Sequence, residues 1–174
     1  MAVFRPSNGI WYINQSNLGF RAQQWGISTD KPVSGDFDAD GKTDVAVWRP
    51  SNGVWYIYRS TNGQVIFQTF GLSTDKPVVG DFNGNGNADV AVYRPSTGFW
   101  YTIDPITQAF SAQPFGIAED IPIPADYDGD SKADVAVFRP STNVWYRLNS
   151  SNGAFSARPY GQNGDIPSPA SSQP

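Results

Sequence analysis

One sentence is written four times in this chain, and that repetition restricts the fold more than any other feature. An Arg-Pro-Ser tripeptide begins at Arg5, Arg49, Arg94 and Arg139, in steps of 44, 45 and 45 residues. Around it stand AVFRPSNGIWYI, VAVWRPSNGVWYI, VAVYRPSTGFWYTI and VAVFRPSTNVWYRL. An aromatic-glycine pair follows each time, at Trp25-Gly26, Phe70-Gly71, Phe115-Gly116 and Tyr160-Gly161. Each pair is followed by an aspartate two residues before a proline: Asp30 and Pro32, Asp75 and Pro77, Asp120 and Pro122, Asp165 and Pro167. A period of this size belongs to stacked supersecondary units, not to one irregular core.

Each unit reads as four short strands. KPVVGDF (Lys76 to Phe82) is brief and apolar. VAVYRP (Val90 to Pro95) alternates β-branched and aromatic residues with small ones and ends in a Ser-Thr-Gly turn. FWYTI (Phe99 to Ile103) forms a hairpin with it, and AFSAQPFG (Ala109 to Gly116) is the fourth strand. No segment carries a helical period. Four-stranded units of this length suit the blades of a β-propeller, so the expected fold is all-β, a small propeller of four four-stranded blades. Residues 1–174 read as a single repeat domain, with units over 1–35, 36–80, 81–125 and 126–170 and a tail over 171–174. Aligned on the other units, the chain starts at a second strand and ends at a first strand. The C-terminal strand is therefore expected to complete the N-terminal blade, within the chain or by exchange with a neighbour.

Composition narrows the chemistry. A net charge of −4 with no basic cluster argues against nucleic acid as a partner. No apolar run is long enough to insert into a membrane. Cysteine and histidine are both absent, which removes thiolate and imidazole ligands and the common catalytic triads. What remains is carboxylate, and ten of the sixteen acidic residues lie in three loops.

Those loops are DFDADGKTD (Asp36 to Asp44), DFNGNGNAD (Asp81 to Asp89) and DYDGDSKAD (Asp126 to Asp134). Each sets oxygen side chains at positions 1, 3, 5 and 9, so a tightly wound loop turns alternate side chains to one centre. A backbone carbonyl at position 7 (Lys42, Asn87 or Lys132) can add an oxygen. An all-oxygen set with flexible geometry suits Ca²⁺ ahead of Mg²⁺. The candidate ligands are Asp36, Asp38, Asp40, Lys42 and Asp44; Asp81, Asn83, Asn85, Asn87 and Asp89; and Asp126, Asp128, Asp130, Lys132 and Asp134. The middle loop offers two aspartates where the others offer four, so two strong sites and one weaker site are expected. Ser131 stands where the first two loops have glycine, which adds strain. The fourth loop is cut by the termini, with Ser171 in place of its first aspartate.

The D-x-D-x-D-G-x-x-D loop, joined to VAVxRPSxGxWY and an aromatic-glycine pair, resembles the FG-GAP/VCBS repeat family over nearly the whole chain. The resemblance implies a calcium-binding β-propeller like those of integrin α-chain heads and bacterial surface proteins. It implies a role in adhesion, ligand binding or scaffolding, at times as a lectin.

Little is left for catalysis. Only Asp104 and Glu119 fall outside the repeat pattern, and nothing in their spacing suggests the facing carboxylates of a glycosidase. The chain is expected not to be an enzyme. Trp-Tyr pairs repeated on a strand point to opposite faces and suit blade cores. The less regular Trp25 and Trp48 are the candidates for stacking on a sugar. The reading is a non-catalytic, extracellular or cell-surface calcium-binding repeat protein with a protein or glycan partner. A lectin is one alternative; a filament or ring subunit that self-associates through its C-terminal strand is another.

Overall fold

The computed structural model describes residues 1–16 and 18–168. Among them there is no helix, and fifteen strands form four antiparallel sheets of the propeller-blade kind. The chain divides into two compact units, Met1–Ser73 and Thr74–Pro174.

The first unit holds two sheets. One has three strands in the order β1 (Ala2–Arg5), β2 (Ile10–Gln15) and β3 (Gly19–Gln24). The other has four, β4 (Lys31–Pro32), β5 (Val45–Arg49), β6 (Val54–Tyr58) and β7 (Val65–Thr69). The second unit has two four-stranded sheets. These are β8 (Lys76–Gly80), β9 (Asp89–Arg94), β10 (Phe99–Ile103) and β11 (Phe110–Pro114), then β12 (Ile121–Pro122), β13 (Val135–Arg139), β14 (Val144–Leu148) and β15 (Phe155–Pro159). Sequential strands are neighbours throughout, so each sheet is a meander. The four strands read from Lys76 to Gly116 coincide with β8 to β11. In the first sheet the structure gives three strands. The segment assigned to complete it carries no strand over residues 165–168 and continues into 169–174, outside the described residues.

Burial follows strand position. β9 is buried at five of six residues and reads as a near-continuous apolar run, as a strand covered on both faces must. The fourth strands, β7 and β11, are largely exposed. Within the first unit, Trp11 of β2 packs against Val45 and Val47 of the next sheet, with Tyr56 beside them. In the second unit, Trp100 of β10 meets Val137, with Val135 and Tyr146 packed on the same cluster. The blade contact is thus one repeated unit: a third-strand tryptophan laid on the second strand of the following sheet.

The turn glycine and the aromatic-glycine pair, about eighteen residues apart, recur together because they touch. Gly98, at φ 69°, closes the β9–β10 turn by donating its N–H to Arg94 O at 2.9 Å. Its own carbonyl accepts from Phe115 N at 2.8 Å, and the Trp100 indole donates to Phe115 O at 2.9 Å. A Cβ on Gly98 would stand 2.3 Å from Gly116 O, so a positive φ and a backbone contact both require glycine there. In the last blade Asn143 takes this position at φ 55°, a conformation asparagine tolerates.

The repeated arginines have one partner type. Arg49, Arg94 and Arg139 each fork onto the aspartate before the first strand of their own blade. The bonds are Arg49 to Asp30 at 2.8 and 2.8 Å, Arg94 to Asp75 at 3.0 and 2.9 Å, and Arg139 to Asp120 at 2.8 and 3.0 Å. Each guanidinium also lies over the tyrosine of its Trp-Tyr pair, at 4.3 Å on Tyr56 and 4.5 Å on Tyr101 and Tyr146. The aspartates are buried, so one clamp in each of these blades ties the start of the first strand to the end of the second.

Candidate metal centre

Each acidic loop joins the first and second strands of a blade. In two of them an isolated bridge closes the neck, Gly35 with Asp44 and Ala125 with Asp134. Position 1 nucleates the winding. Asp36 accepts from the N–H groups of Asp40 (3.2 Å) and Gly41 (2.8 Å). Asp126 takes Gly129, Asp130 and Ser131 N–H, and Asp81 takes Gly84, Asn85 and Gly86 N–H. Winding this tight needs left-handed residues. Gly41 and Gly86 supply them without strain, while Ala39 (φ 55°) and Ser131 (φ 69°) adopt them at a cost of about 1–2 kcal/mol each.

In the first and third loops, one carboxylate oxygen from each of Asp36, Asp38 and Asp40, and from each of Asp126, Asp128 and Asp130, gathers within 4.8 Å of the others. Asp38 Oδ1 and Asp128 Oδ1 are shielded from solvent and have no hydrogen-bond partner among the described residues. A buried carboxylate oxygen without a donor is costly unless a cation meets it, so both loops fit a hard divalent ion. Asp40 and Asp130 each spend one oxygen on the backbone N–H at position 7, Lys42 at 2.8 Å and Lys132 at 2.9 Å. Bonds from the Ser150 hydroxyl are the main cause holding the Asp130 carboxyl below its usual range.

Position 9 is different from what the spacing suggests. Asp44 and Asp134 are fully buried and lie outside the gathered oxygens. Asp44 accepts from Phe37 N at 3.0 Å and Ser60 N at 2.7 Å; Asp134 accepts from Tyr127 N at 2.9 Å and Ser150 N at 2.7 Å. Each ties its loop to the turn after the third strand. Burial pushes the Asp44 carboxyl up.

The middle loop is built otherwise. Asn83 accepts from Asn85 N (3.0 Å) and Asn85 accepts from Asn87 N (2.8 Å), so both side-chain oxygens face the loop's own backbone. Their amide groups donate outward to Asp104, and Asn83 also donates to Asp89 Oδ1 at 2.8 Å. Asp104, which the sequence left without a role, is buried here. Burial raises its carboxyl, but the N–H groups of Thr107 and Ile106 and the Asn85 amide outweigh that and hold it low. Burial pushes Asp89 up to about 6, with Asp104 and Asp81 adding to the shift. Glu119 lies apart from this network and accepts from the Ser141 hydroxyl at 2.8 Å.

The two tryptophans singled out for sugar stacking are both engaged. Trp48 is fully buried and donates to Phe70 O at 3.1 Å, so it offers no face to a ligand. Trp25 is partly buried, donates to Tyr56 O at 2.9 Å and packs on Tyr58.

A family model spans the stretch from the first loop through the middle one and into β9. Residues 36–92 match the model of the FG-GAP-like repeat. The resemblance carried by the loop and the VAVxRPSxGxWY motif is borne out over that segment. Among solved structures, the chain is similar to apo AztD from Citrobacter koseri, at a TM-score of 0.55 and 11% identity, covering 88% of this chain. The likeness shows the fold, and the chain spans 43% of the length of AztD. No curated protein matches the chain.

Proposed function

We propose that this protein is a non-catalytic, calcium-stapled blade module that works outside the cell or at its surface, in adhesion, ligand binding or assembly. The carrying observation is the buried, donorless oxygen at position 3 of two loops, Asp38 Oδ1 and Asp128 Oδ1. Asp36, Asp38 and Asp40 would hold one ion, and Asp126, Asp128 and Asp130 another. A bound ion would fix the first strand of a blade to its second. Calcium stands at millimolar levels outside the cell, where such loops would stay filled, which supports the location. No helix among the described residues is long and apolar enough to cross a membrane. The two acids outside the repeat pattern are both committed to hydrogen bonds, which supports a module without catalysis. Calorimetric titration of decalcified protein is expected to give two ions per chain, and one after either Asp38→Asn or Asp128→Asn. No calcium heat at any concentration would sink the reading.

A second reading, assembly, has its own support. In three blades the Asp-x-Pro segment pairs outside the second strand, for example Lys31 with Trp48 and Ile121 with Phe138, and its aspartate clamps the arginine. In the first sheet Ala2 and Val3 of β1 are exposed, and Arg5 is exposed and donates to Tyr12 Oη. Asp165 is exposed and accepts from Gln162 N, and Ile166 beside it is 89% exposed. The repeat register would set Ile166 against Phe4, Pro167 against Val3 and Asp165 on Arg5. The occupant we assign is residues 165–167 of a second copy, giving head-to-tail association. Light scattering across a concentration series should find multiples of the chain mass, lost in Asp165→Arg and regained when Arg5→Asp is added. A monomer at every concentration rules it out.

A further inference from the structure

We infer that the middle loop, residues 81–89, takes no cation, and that Asp104 closes this blade in place of one. The inference rests on the calcium reading of the other two loops and departs from the expectation of a third, weaker site.

The argument begins with a missing donor. In the other two blades the position-9 aspartate accepts from the backbone N–H of Ser60 or Ser150. The corresponding residue here is Pro105, which has no N–H. Asp89 Oδ1 therefore needs another donor, and the Asn83 amide supplies it at 2.8 Å. An aspartate at position 83 would instead face Asp89 with a second negative charge. Asparagine at this position follows from proline at the other.

The amide orientations follow from the loop's winding. Asn83 Oδ1 is held by Asn85 N and Asn85 Oδ1 by Asn87 N, so the NH₂ groups must point outward. In the other loops the outward atoms at position 5 are carboxylate oxygens, Asp40 Oδ2 and Asp130 Oδ2, on Lys42 Nζ and Ser150 Oγ. An NH₂ group is a donor and cannot coordinate a cation. Turning both amides over would set NH₂ against backbone N–H and strip Asp89 of its donor.

What two outward NH₂ groups bind is an anion, and the next turn provides one. Asp104 Oδ2 receives both amides, and its Oδ1 receives Ile106 N (2.7 Å) and Thr107 N (2.9 Å). The loop and the turn after the third strand are clasped without metal. The turn residue is of matching sign in the first loop as well: Arg59 stands there, 3.8 Å from Asp38 Oδ2. Asn83, Asn85, Asp104 and Pro105 each depart from what the other two acidic-loop blades carry at the same place, and together they form one device.

Two measurements test it. Calorimetry of Asn83→Asp/Asn85→Asp should show one more calcium ion per chain than the unaltered protein, because five carboxylates then converge with no amide between them. An unaltered chain that already binds three ions overturns the inference and leaves the calcium reading intact. Asp104→Asn, melted in chelator, should lose about 5 °C, and lose the same in calcium, because two amides are left without their acceptor. An unchanged melting point in chelator, or a loss confined to calcium, overturns the clasp. A chain that binds no calcium sinks the reading of the outer loops, and the melt in chelator still decides the role of Asp104.

Discussion

Replacing Arg94 by alanine should cost about 3–5 kcal/mol of unfolding free energy. The Asp75 side chain is 0% exposed, and its two oxygens take Arg94 Nε and Nη2 at 3.0 and 2.9 Å. Without the guanidinium, that carboxylate stays enclosed and loses two charged donors. The loss also removes the planar contact over Tyr101 at 4.5 Å. The effect belongs to the stranded partner more than to the pair itself, since a buried ion pair recovers little beyond its own desolvation. Arg94→Ala/Asp75→Asn should therefore lose less than Arg94→Ala alone. Arg94→Lys should fall between, keeping the charge but not the fork or the stacking. Urea midpoints with unchanged slopes would measure all three variants. An Arg94→Ala midpoint within about 0.5 kcal/mol of the unaltered chain would mean that water screens the pair.

This clamp marks how far the sequence could be read. Four arginines and four Asp-x-Pro segments recur in plain view, and the strands follow from the same recurrence, which is why FWYTI coincides with β10. Which aspartate meets which arginine depends on strand register, and register appears only when the sheet is formed. The acidic loops show the same limit. Spacing at 1, 3, 5 and 9 puts Asp44 and Asp134 among the ligands. In the folded loop their oxygens are drawn to Phe37, Ser60, Tyr127 and Ser150 N–H, because position 9 opens a strand and faces inward. Asp104 was legible in principle. Two carboxylates vanish at Asn83 and Asn85 in the blade where one appears at Asp104 and an N–H is lost at Pro105. That compensation shows only when departures from the repeat are compared with one another. Trp48 is irregular only in the letter: it takes the place of Tyr93 and Phe138 in the repeat, and all three are core.

The second large effect separates two tryptophans that the repeat writes identically. Trp100→Ala should cost about 3–5 kcal/mol, because the side chain is fully buried and its removal leaves a void the sheets cannot close. It packs on Tyr93 at 5.5 Å and Phe82 at 6.2 Å between ring centres, shares its cluster with Val137, and donates to Phe115 O at 2.9 Å. Trp145 has the same hairpin, the same in-sheet neighbour (Phe138, 5.6 Å) and the same indole bond, to Tyr160 O at 3.2 Å. It is only half-buried, and Tyr160 beside it is 78% exposed. Alanine there gives up a partial contact, and a cost of about 1 kcal/mol is expected. Urea unfolding of both variants at low protein concentration would measure the difference, and equal losses would show that Trp145 is as enclosed as Trp100. Raising the concentration extends the test to assembly. If this chain adds its segment 165–167 to β1 of a second copy, and that copy's first blade comes to lie on the last blade here, Trp145→Ala should grow costlier with concentration while Trp100→Ala stays constant. Tryptophan burial would then report on assembly without any label.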